Sequence, residues 1–349
     1  MRRWQANLRK VARTRLDVGV LWRRLTRPAD VAFADVLAPG VRVYRDGPVI
    51  VDRKLPPIHL ASQFIEDADT YHQQNFDRLD FVELIDHCLV LAKVDRESRL
   101  DVLDIGSGSG SSVFAACRLL PRAAIHATDI SPQLLAMLAR FVDTQPALRG
   151  RVRAFCFDLH RRFFRDDAFD LVIGAAILHH LLDPRAALAN VVRSLRTGGR
   201  MIFVEPLEAG SLVMTMIYAR VLEELAVLGE DQGPLARLMR AFRLDIQCRL
   251  GPPAVTPRTA LLDDKWVFDT PYLVDLARQL GLSKVEIHPA QADLAHIFES
   301  AFRSVLADSG HAALALPDSV LDAVREFDRS TALELKRHLC PTGIVVFTK

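Results

Sequence analysis

The chain has 349 residues, of which 50% are hydrophobic, so it can bury a sizeable core. Its formal net charge of +2 indicates no particular class of partner. Its five cysteines are scattered without a C-x-x-C pair, which argues against a disulfide framework or a zinc site and predicts reduced thiols in a cytoplasmic protein.

Residues 1–28 are predicted to form a basic amphipathic helix. The apolar positions recur at helical spacing and are Trp4, Leu8, Val11, Val18, Trp22 and Leu25. Three partners suit such a face: the protein's own domain, a second subunit in a homodimer, or an anionic membrane surface that the surrounding arginines would attract. Two tryptophans offer little stacking surface for bases, so we expect no nucleic-acid binding. The chain lacks an apolar run of about 18 residues, so we expect no transmembrane helix.

The following segment is predicted to be a linker. Residues 37–60 are rich in proline and glycine and are predicted to contain short strands at 41–44 and 48–52. We therefore divide the chain into an N-terminal helix and linker, residues 1–60, and one domain, residues 61–349.

A strand, a glycine-rich turn and a helix are predicted over residues 102–120. The turn contains three alternating glycines, Gly106, Gly108 and Gly110. Glycine is needed because the backbone must turn sharply and a ligand must approach it without a Cβ in the way. A dinucleotide-binding pattern starting at the first of these glycines would need a fourth glycine where the chain has Ser111. Asp104, just before the turn, would repel a pyrophosphate but suits a cationic ligand.

The next two predicted strands also end at acidic residues. Residues 124–128 lead into Asp129, and residues 153–157 lead into Asp158. Asp129 lies about 20 residues beyond the glycines, the spacing of an acid that binds ribose hydroxyls, and a helix-capping role fits it as well.

The pattern of strand followed by helix continues. A fourth strand at 169–176 precedes a helix at 186–195, which Gly198 and Gly199 are predicted to end, and a fifth strand at 200–204 precedes Glu205. This alternation predicts a parallel sheet covered on both faces, with a ligand across the C-terminal ends of its strands.

Two segments resemble a known family. The strand and turn at 102–110 resemble the first motif of class I S-adenosylmethionine (SAM) methyltransferases, and residues 177–184 resemble the motif after the fourth strand in the small-molecule branch of that family. The resemblance implies a Rossmann-like, doubly wound α/β fold with a mostly parallel seven-stranded sheet, helices on both faces and an antiparallel last strand. It also implies that helical insertions at about 207–265 form a cap over the acceptor pocket, while the apolar helix in this segment fits plain core or a dimer face equally well.

The same resemblance implies SAM as the cofactor and assigns roles at the strand ends. The acid and glycines of the first motif lie at the amino-acid end of SAM, the second acid at the ribose and the third at the adenine, where a turn aspartate is the alternative. The implied cofactor-binding residues are Asp104, Gly106, Gly108, Gly110, Asp129, Ile130, Asp158, Leu159 and Ala175.

Three residues are candidates for a catalytic base: His179, His180 and Glu205. The methyl group of SAM is already electrophilic, so transfer mainly needs alignment, and a base is needed only when the acceptor loses a proton. A histidine titrates near neutrality and suits that role, but it could instead pack against the ligand or cap the next helix. No metal site is expected, because adjacent histidines do not share one helix face.

These features predict a SAM-dependent methyltransferase acting on a small or lipophilic molecule, with O-methylation as the leading reaction. The alternatives are methylation at carbon or nitrogen, a nicotinamide-dependent oxidoreductase, and a non-catalytic SAM-binding scaffold. Ser111 and Asp104 disfavour the oxidoreductase.

Overall fold

The computed structural model describes residues 35–56 and 79–349. The strands of this part are β1 (Val43–Asp46), β2 (Val49–Asp52), β3 (Asp101–Ile105), β4 (Ala124–Asp129), β5 (Val152–Cys156), β6 (Phe169–Ala175), β7 (Leu195–Pro206), β8 (Lys284–Pro289) and β9 (Thr342–Thr348). The helices are α1 (Leu79–Leu91), α2 (Ser111–Leu119), α3 (Pro132–Thr144), α4 (Pro184–Ser194), α5 (Glu208–Val227), α6 (Pro234–Arg249), α7 (Thr270–Gln279), α8 (Ile297–Asp308), α9 (Asp318–Ser330) and α10 (Leu333–Lys336). The helix predicted at 1–28 lies outside the described residues.

The strands form one sheet in the order β1-β2-β5-β4-β3-β6-β7-β9-β8. Neighbouring strands are parallel from β2 to β7, whereas β9 lies between β7 and β8 and is antiparallel to both. The predicted doubly wound, mostly parallel α/β fold with an antiparallel last strand is therefore confirmed.

The predicted number of seven strands is wrong, because the sheet within the described ranges has nine. The two additional strands are the hairpin β1–β2, which lies in the segment predicted to be a linker. All four residues of β2 are buried, and Val49, Ile50 and Val51 pair with β5. This short apolar strand covers the edge of β5, whose backbone groups would otherwise lack partners. The domain boundary at residue 60 stays a prediction.

Apolar layers cover both faces of the sheet, because side chains alternate between the faces along each strand. On β3, Val102 belongs to one layer and Leu103 to the other, and both are buried. The strand order switches at β3, which has β4 on one side and β6 on the other. Open α/β sheets bind ligands in the crevice at such a switch, so the fold predicts a site at the C-terminal ends of these strands.

Strand β7 begins earlier than predicted. Helix α4 ends at Ser194, and Leu195 already pairs with Phe169 on β6. The glycines predicted to end this helix lie within β7, where Gly198 has a φ of 80° and its N–H donates to the carbonyl of Lys349. A glycine with positive φ occurs both in helix C-caps and in bulged strands, so the sequence pattern did not distinguish them.

Helices α5 and α6 form the predicted insertion after β7, and α5 packs against α6 and α9. The chain then returns towards the sheet through residues 263–266, which we call the strap. The N–H of Lys265 donates to the carbonyl of His179 at 2.8 Å, and the indole N–H of Trp266 donates to the carbonyl of Leu181 at 2.8 Å. The strap therefore lies against the turn that follows β6. None of the helices in residues 35–56 and 79–349 is long and apolar enough to cross a membrane.

Candidate active site

The glycine turn after β3 requires glycine at two positions for steric reasons. Gly106 has a φ of 67°, and a Cβ on it would lie 2.5 Å from Cδ1 of Ile177. Gly110 has a φ of 111°, and a Cβ there would collide with Leu138 on α3. Gly108, between them, also has a positive φ, of 53°. The turn is therefore held between α3 and the segment after β6, which brings the ends of β3 and β6 into contact.

Asp104 is a buried carboxylate at the end of β3, with a relative exposure of 1%. Neither of its oxygens has a hydrogen-bond partner of good geometry among the described residues. Burial raises the pKa of this carboxyl group to about 7, and the nearby hydroxyl of Ser112 acts in the opposite direction. A buried acid without a partner fits the positively charged amino-acid end of SAM, which would supply the missing hydrogen bonds and charge.

Asp129, at the end of β4, joins the glycine turn to the start of α3. It accepts hydrogen bonds from the N–H of Gly108 at 2.9 Å and from the N–H of Ser131 at 2.7 Å. Burial raises the pKa of Asp129, and these backbone donors act against that rise. Each carboxylate oxygen keeps a second lone pair for a ribose hydroxyl, so the helix-start role and the ribose role are compatible. Ile130, the next residue, packs partly buried in one apolar layer.

Asp158 and Leu159 follow β5, and Leu159 contacts α4. Asp158 accepts hydrogen bonds from the N–H of His160 at 2.9 Å and from its Nδ1 at 2.8 Å, which lowers the pKa of the carboxyl group. The carbonyl of Leu159 accepts a hydrogen bond from the side chain of Asn190 at 3.1 Å. Ala175 ends β6 beside β7, partly buried. These residues follow or end β5 and β6, which run parallel to β3 and β4, so they lie at the same edge of the sheet as Asp104 and Asp129.

Glu205 anchors the turn that follows β6. It is fully buried at the end of β7, and its Oε1 accepts the N–H groups of Ile177 at 3.0 Å and Leu178 at 2.7 Å. Its Oε2 lies 2.6 Å from Nδ1 of His179. These partners surround the carboxylate, so Glu205 orients the imidazole of His179 instead of facing an acceptor. The structure places these two predicted candidates next to each other, and their catalytic roles stay predictions.

His179 lies between two carboxylates. Its Nε2, the nitrogen not engaged by Glu205, is 3.5 Å from Oδ1 of Asp264 on the strap. Burial lowers the pKa of this imidazole, but the charges of Glu205 and Asp264 outweigh burial and raise the pKa to about 9. His179 is therefore protonated at neutral pH in this conformation.

His180 points to the strap as well. Its Nδ1 lies 3.0 Å from the carbonyl oxygen of Asp263 and 3.3 Å from Oδ1 of Asp264. Burial and then the positive charge of His179 lower the pKa of His180. The structure thus brings both predicted histidines together, and each has a ring nitrogen near Oδ1 of Asp264, while His179 also contacts Glu205 and His180 also contacts the carbonyl of Asp263.

Sequence reasoning missed Asp264 and Arg249. Oδ2 of Asp264 lies 3.5 Å from Nη1 of Arg249, which also pairs with Asp245 at 2.9 Å. The ligand atoms of His179, His180 and Asp264 lie within 4.8 Å of one another, so adjacent histidines can approach one acidic partner despite their spacing. Each of these groups has a protein partner of suitable charge or polarity, and we describe the cluster as an ion-pair network. The predicted lack of a metal stays a prediction.

Comparisons with known proteins identify the same region of the chain. A family model described as "Methyltransferase domain" matches residues 103–201. Malonyl-[acyl-carrier protein] O-methyltransferase from Halorhodospira halophila (strain DSM 244 / SL1) is 36% identical over 102 residues, covering 29% of this chain and 33% of that protein. Highly reducing polyketide synthase verA from Penicillium polonicum is 27% identical over 197 residues, covering 55% of this chain and 7% of that protein. The chain thus spans a third or less of these two relatives.

A solved structure has a similar fold. A chain in the complex of the Haloferax volcanii Trm112 methyltransferase activator aligns with a TM-score of 0.50 and 16% identity, covering 82% of this chain and 97% of that chain. The region matched by the family model begins on β3 and ends within β7. It therefore contains the glycine turn, the acids that follow β4 and β5, and both histidines, whereas Glu205 and the strap lie beyond it.

Proposed function

We propose that this protein transfers the methyl group of SAM to a hydroxyl group of a small or lipophilic acceptor, because residues 103–201 match a methyltransferase-domain family model. In this proposal His179 takes the proton that the acceptor loses. The observation that carries the proposal is the pairing of His179 with buried Glu205 beside the glycine turn.

The crevice at β3 and β4 supports binding of SAM itself. Asp104 has an unfilled hydrogen-bonding capacity for a cationic group, and Asp129 presents a carboxylate that is fixed by two backbone donors. We assign the amino-acid end of SAM to Asp104 and the glycine turn, and the ribose to Asp129 with Ile130. Asp158 and Leu159 are assigned to the adenine, and Ala175 to the floor beneath the reacting methyl group.

The imidazole of His179 supports an acceptor that must lose a proton. Glu205 holds Nδ1 at 2.6 Å, so once His179 has lost the proton that it carries at neutral pH, Nε2 is the nitrogen that can accept a proton. In the transfer, the acceptor oxygen forms a bond to the methyl carbon while the carbon–sulfur bond breaks and leaves a neutral thioether. The hydroxyl proton moves to Nε2 and is later released to water, so both charge and atoms balance.

A carbon acceptor is the second candidate. The same base could remove a proton from an acidic C–H group, and one of the relatives is a polyketide synthase, whereas another is an O-methyltransferase by name. Protein partners beyond the acceptor, including a homodimer contact or a membrane contact through residues 1–28, remain predictions, as does a cytoplasmic location.

Incubation of the purified protein with methyl-labelled SAM and fractionated cell extract tests the proposal. We expect label in a small-molecule or lipid fraction, and the structure of the labelled product by NMR and mass spectrometry distinguishes an O–CH3 group from C–CH3 or N–CH3. Calorimetric titrations with SAM and with NAD provide the binding control. Preference for NAD would favour the oxidoreductase, and SAM binding without any transfer would favour the scaffold.

A further inference from the structure

The acceptor-facing nitrogen of His179 is covered by a residue of the strap. Glu205 takes Nδ1, and the remaining nitrogen, Nε2, faces Oδ1 of Asp264 at 3.5 Å. The side chain of Asp264 is 43% exposed, whereas that of His179 is 8% exposed. Asp264 therefore lies on the solvent side of the imidazole, where an acceptor would have to approach.

The strap holds Asp264 in this place through backbone contacts. Residues before and after Asp264 bond to the turn that follows β6: the carbonyl of Asp263 contacts Nδ1 of His180 at 3.0 Å, and the N–H of Lys265 donates to the carbonyl of His179 at 2.8 Å. The position of the strap therefore does not depend on the Asp264 carboxylate alone, and that side chain can rotate without releasing the strap.

A second partner for the carboxylate lies on its other side. Oδ2 of Asp264 is 3.5 Å from Nη1 of Arg249, and the guanidinium group is fixed because its Nη2 donates to the carbonyl of Trp266 at 3.1 Å. Asp264 is thus shared between the two imidazoles and a buried arginine. The carboxylate contacts both sides at once, with Oδ1 3.5 Å from Nε2 of His179 and Oδ2 3.5 Å from Nη1 of Arg249, so an ion pair with Arg249 is available if the contact with His179 is lost.

We propose that Asp264 is a positioning residue that closes Nε2 of His179 in the resting protein and turns towards Arg249 when the acceptor arrives. This proposal rests on the proposed function, because it assumes that Nε2 receives the acceptor proton. When Asp264 moves away, His179 releases its own proton to water and its free Nε2 can then accept the proton of the acceptor as the methyl group is transferred. The site is thereby kept inactive until an acceptor displaces the carboxylate.

The charged groups around His179 determine whether its pKa rises or falls when the Asp264 carboxylate is lost. Glu205 faces the imidazole from β7, His180 from the same turn and Asp264 from the strap, while Arg249 and Asp245 on α6 act through Asp264. With both carboxylates in place the pKa of His179 is raised to about 9, so loss of one carboxylate must lower it.

The test is Asp264→Asn, followed by histidine NMR titration of the ligand-free protein. We expect the pKa of His179 to fall by roughly one pH unit or more, and we expect the rising limb of the kcat/KM pH profile to move to lower pH by a similar amount. A pKa that is one unit lower means a tenfold weaker affinity of His179 for its proton. At pH 7 this would raise the deprotonated fraction of His179, and with it kcat/KM, by about tenfold. Asp263→Asn is the matched control, and the pKa of His179 should change in it by less than about a third as much.

The two readouts separate this proposal from the proposed function. An unchanged pKa of His179 in the Asp264→Asn variant would contradict the proposal that Asp264 closes Nε2, whether or not the protein transfers methyl groups. A lower kcat/KM at every pH, without movement of the limb, also overturns it, because Asp264 would then assist the acceptor instead of closing the base. Asp264→Ser repeats the titration if the asparagine variant does not fold. A lowered pKa in a protein without methyl transfer supports the resting ion pair and contradicts the proposed function alone.

Discussion

The crevice at the strand ends has two halves, and each contains a buried acid. The two acids differ in the hydrogen-bond donors and charges around them. In the half at β3 and β4, the carboxylate of Asp104 is buried without a hydrogen bond of good geometry from residues 35–56 and 79–349, and burial raises its pKa to about 7. In the half at β6 and β7, Glu205 is equally buried, but four donors or near neighbours surround it, and His179 provides a compensating charge. The two acids are therefore equally buried but differ in the groups that surround them.

Among the described residues, the half at β3 and β4 offers Asp104 no cationic partner, whereas the half at β6 and β7 already contains the protonated His179. We call the first the cofactor half and the second the acceptor half. A ligand with a positive group would complete the first half, whereas a ligand in the second half must displace an existing pair between His179 and Asp264. Substitutions in one half should therefore change cofactor affinity, and substitutions in the other should change turnover.

Gly106→Val should have the largest effect, because it disturbs both halves. A branched side chain at a φ of 67° is strained, and its Cβ would collide with Ile177, whose N–H is held by Glu205. We expect SAM binding to be lost by calorimetry. Gly150→Val is the control, since its φ is 79° but no atom lies within 4 Å of the added Cβ; it shares the backbone strain of about 1–3 kcal/mol and should still bind SAM. Normal affinity in Gly106→Val would show that the glycine turn does not bind the cofactor.

His179→Ala should lower turnover by about 10²–10⁴ while SAM affinity stays close to that of the wild type, since the imidazole belongs to the acceptor half. The measurement is steady-state methyl transfer alongside calorimetry. His180→Ala should have a smaller effect because its Nδ1 faces the carbonyl of Asp263. His311→Ala, in the loop after α8, is the control for loss of a histidine. Near-normal turnover in His179→Ala would mean that alignment alone supports the reaction.

Asp104→Asn should stabilise the ligand-free protein at alkaline pH and weaken SAM binding. The folded-state pKa of Asp104 is raised to about 7, so unfolding releases protons and the wild type loses stability as pH rises from about 4 to 7. An uncharged amide avoids this loss, with a gain of up to about 4 kcal/mol at pH 8 and little gain near pH 4. Urea unfolding at both pH values measures it, with exposed Asp143→Asn as the control. A gain that does not depend on pH would contradict the burial of an ionisable acid.

Asp129→Ala should have the smallest effect of this series. The variant loses the acceptor for the N–H groups of Gly108 and Ser131 together with the ribose contact. We expect SAM binding to weaken by about 1.5–3 kcal/mol, or roughly ten- to hundredfold in Kd. Asp158→Ala is the comparison, and its loss should be smaller because Asp158 is already engaged by His160. Equal losses in both variants would contradict the separate ribose and adenine assignments.

The sequence analysis located the central strands correctly, because these strands are apolar runs with an acidic residue at or after their end. The mostly parallel sheet is confirmed, and a family model described as a methyltransferase domain matches residues 103–201, because the first motif and the strand–helix alternation are local patterns. The hairpin β1–β2 was missed as part of the sheet, since strands of four residues in a segment rich in proline and glycine carry little periodic signal. The roles of the individual site residues stay predictions.

Only some residues of the acceptor half, at β6 and β7, could be predicted from the sequence. His179 and Glu205 are 26 residues apart and meet because β6 and β7 are neighbours, which the alternation of elements predicts. Asp264 comes from an insertion without a repeating pattern, and Asp263 contacts His180 across 83 residues of sequence. Contacts of this kind depend on tertiary packing of the cap, so no local pattern indicates them.

The position of β9 has a consequence for biosynthesis. Glu205 on β7 pairs with Gly343 on β9, although about 135 residues separate the two strands. At ribosomal rates of 5–20 residues per second, the outer edge of β7 stays unpaired for roughly 7–27 s while the chain emerges. An apolar strand with an open edge is prone to wrong pairing during that interval. A fragment that ended at Pro206, after β7 but before β9, would keep this edge open permanently, so we expect it to need the later strand to fold.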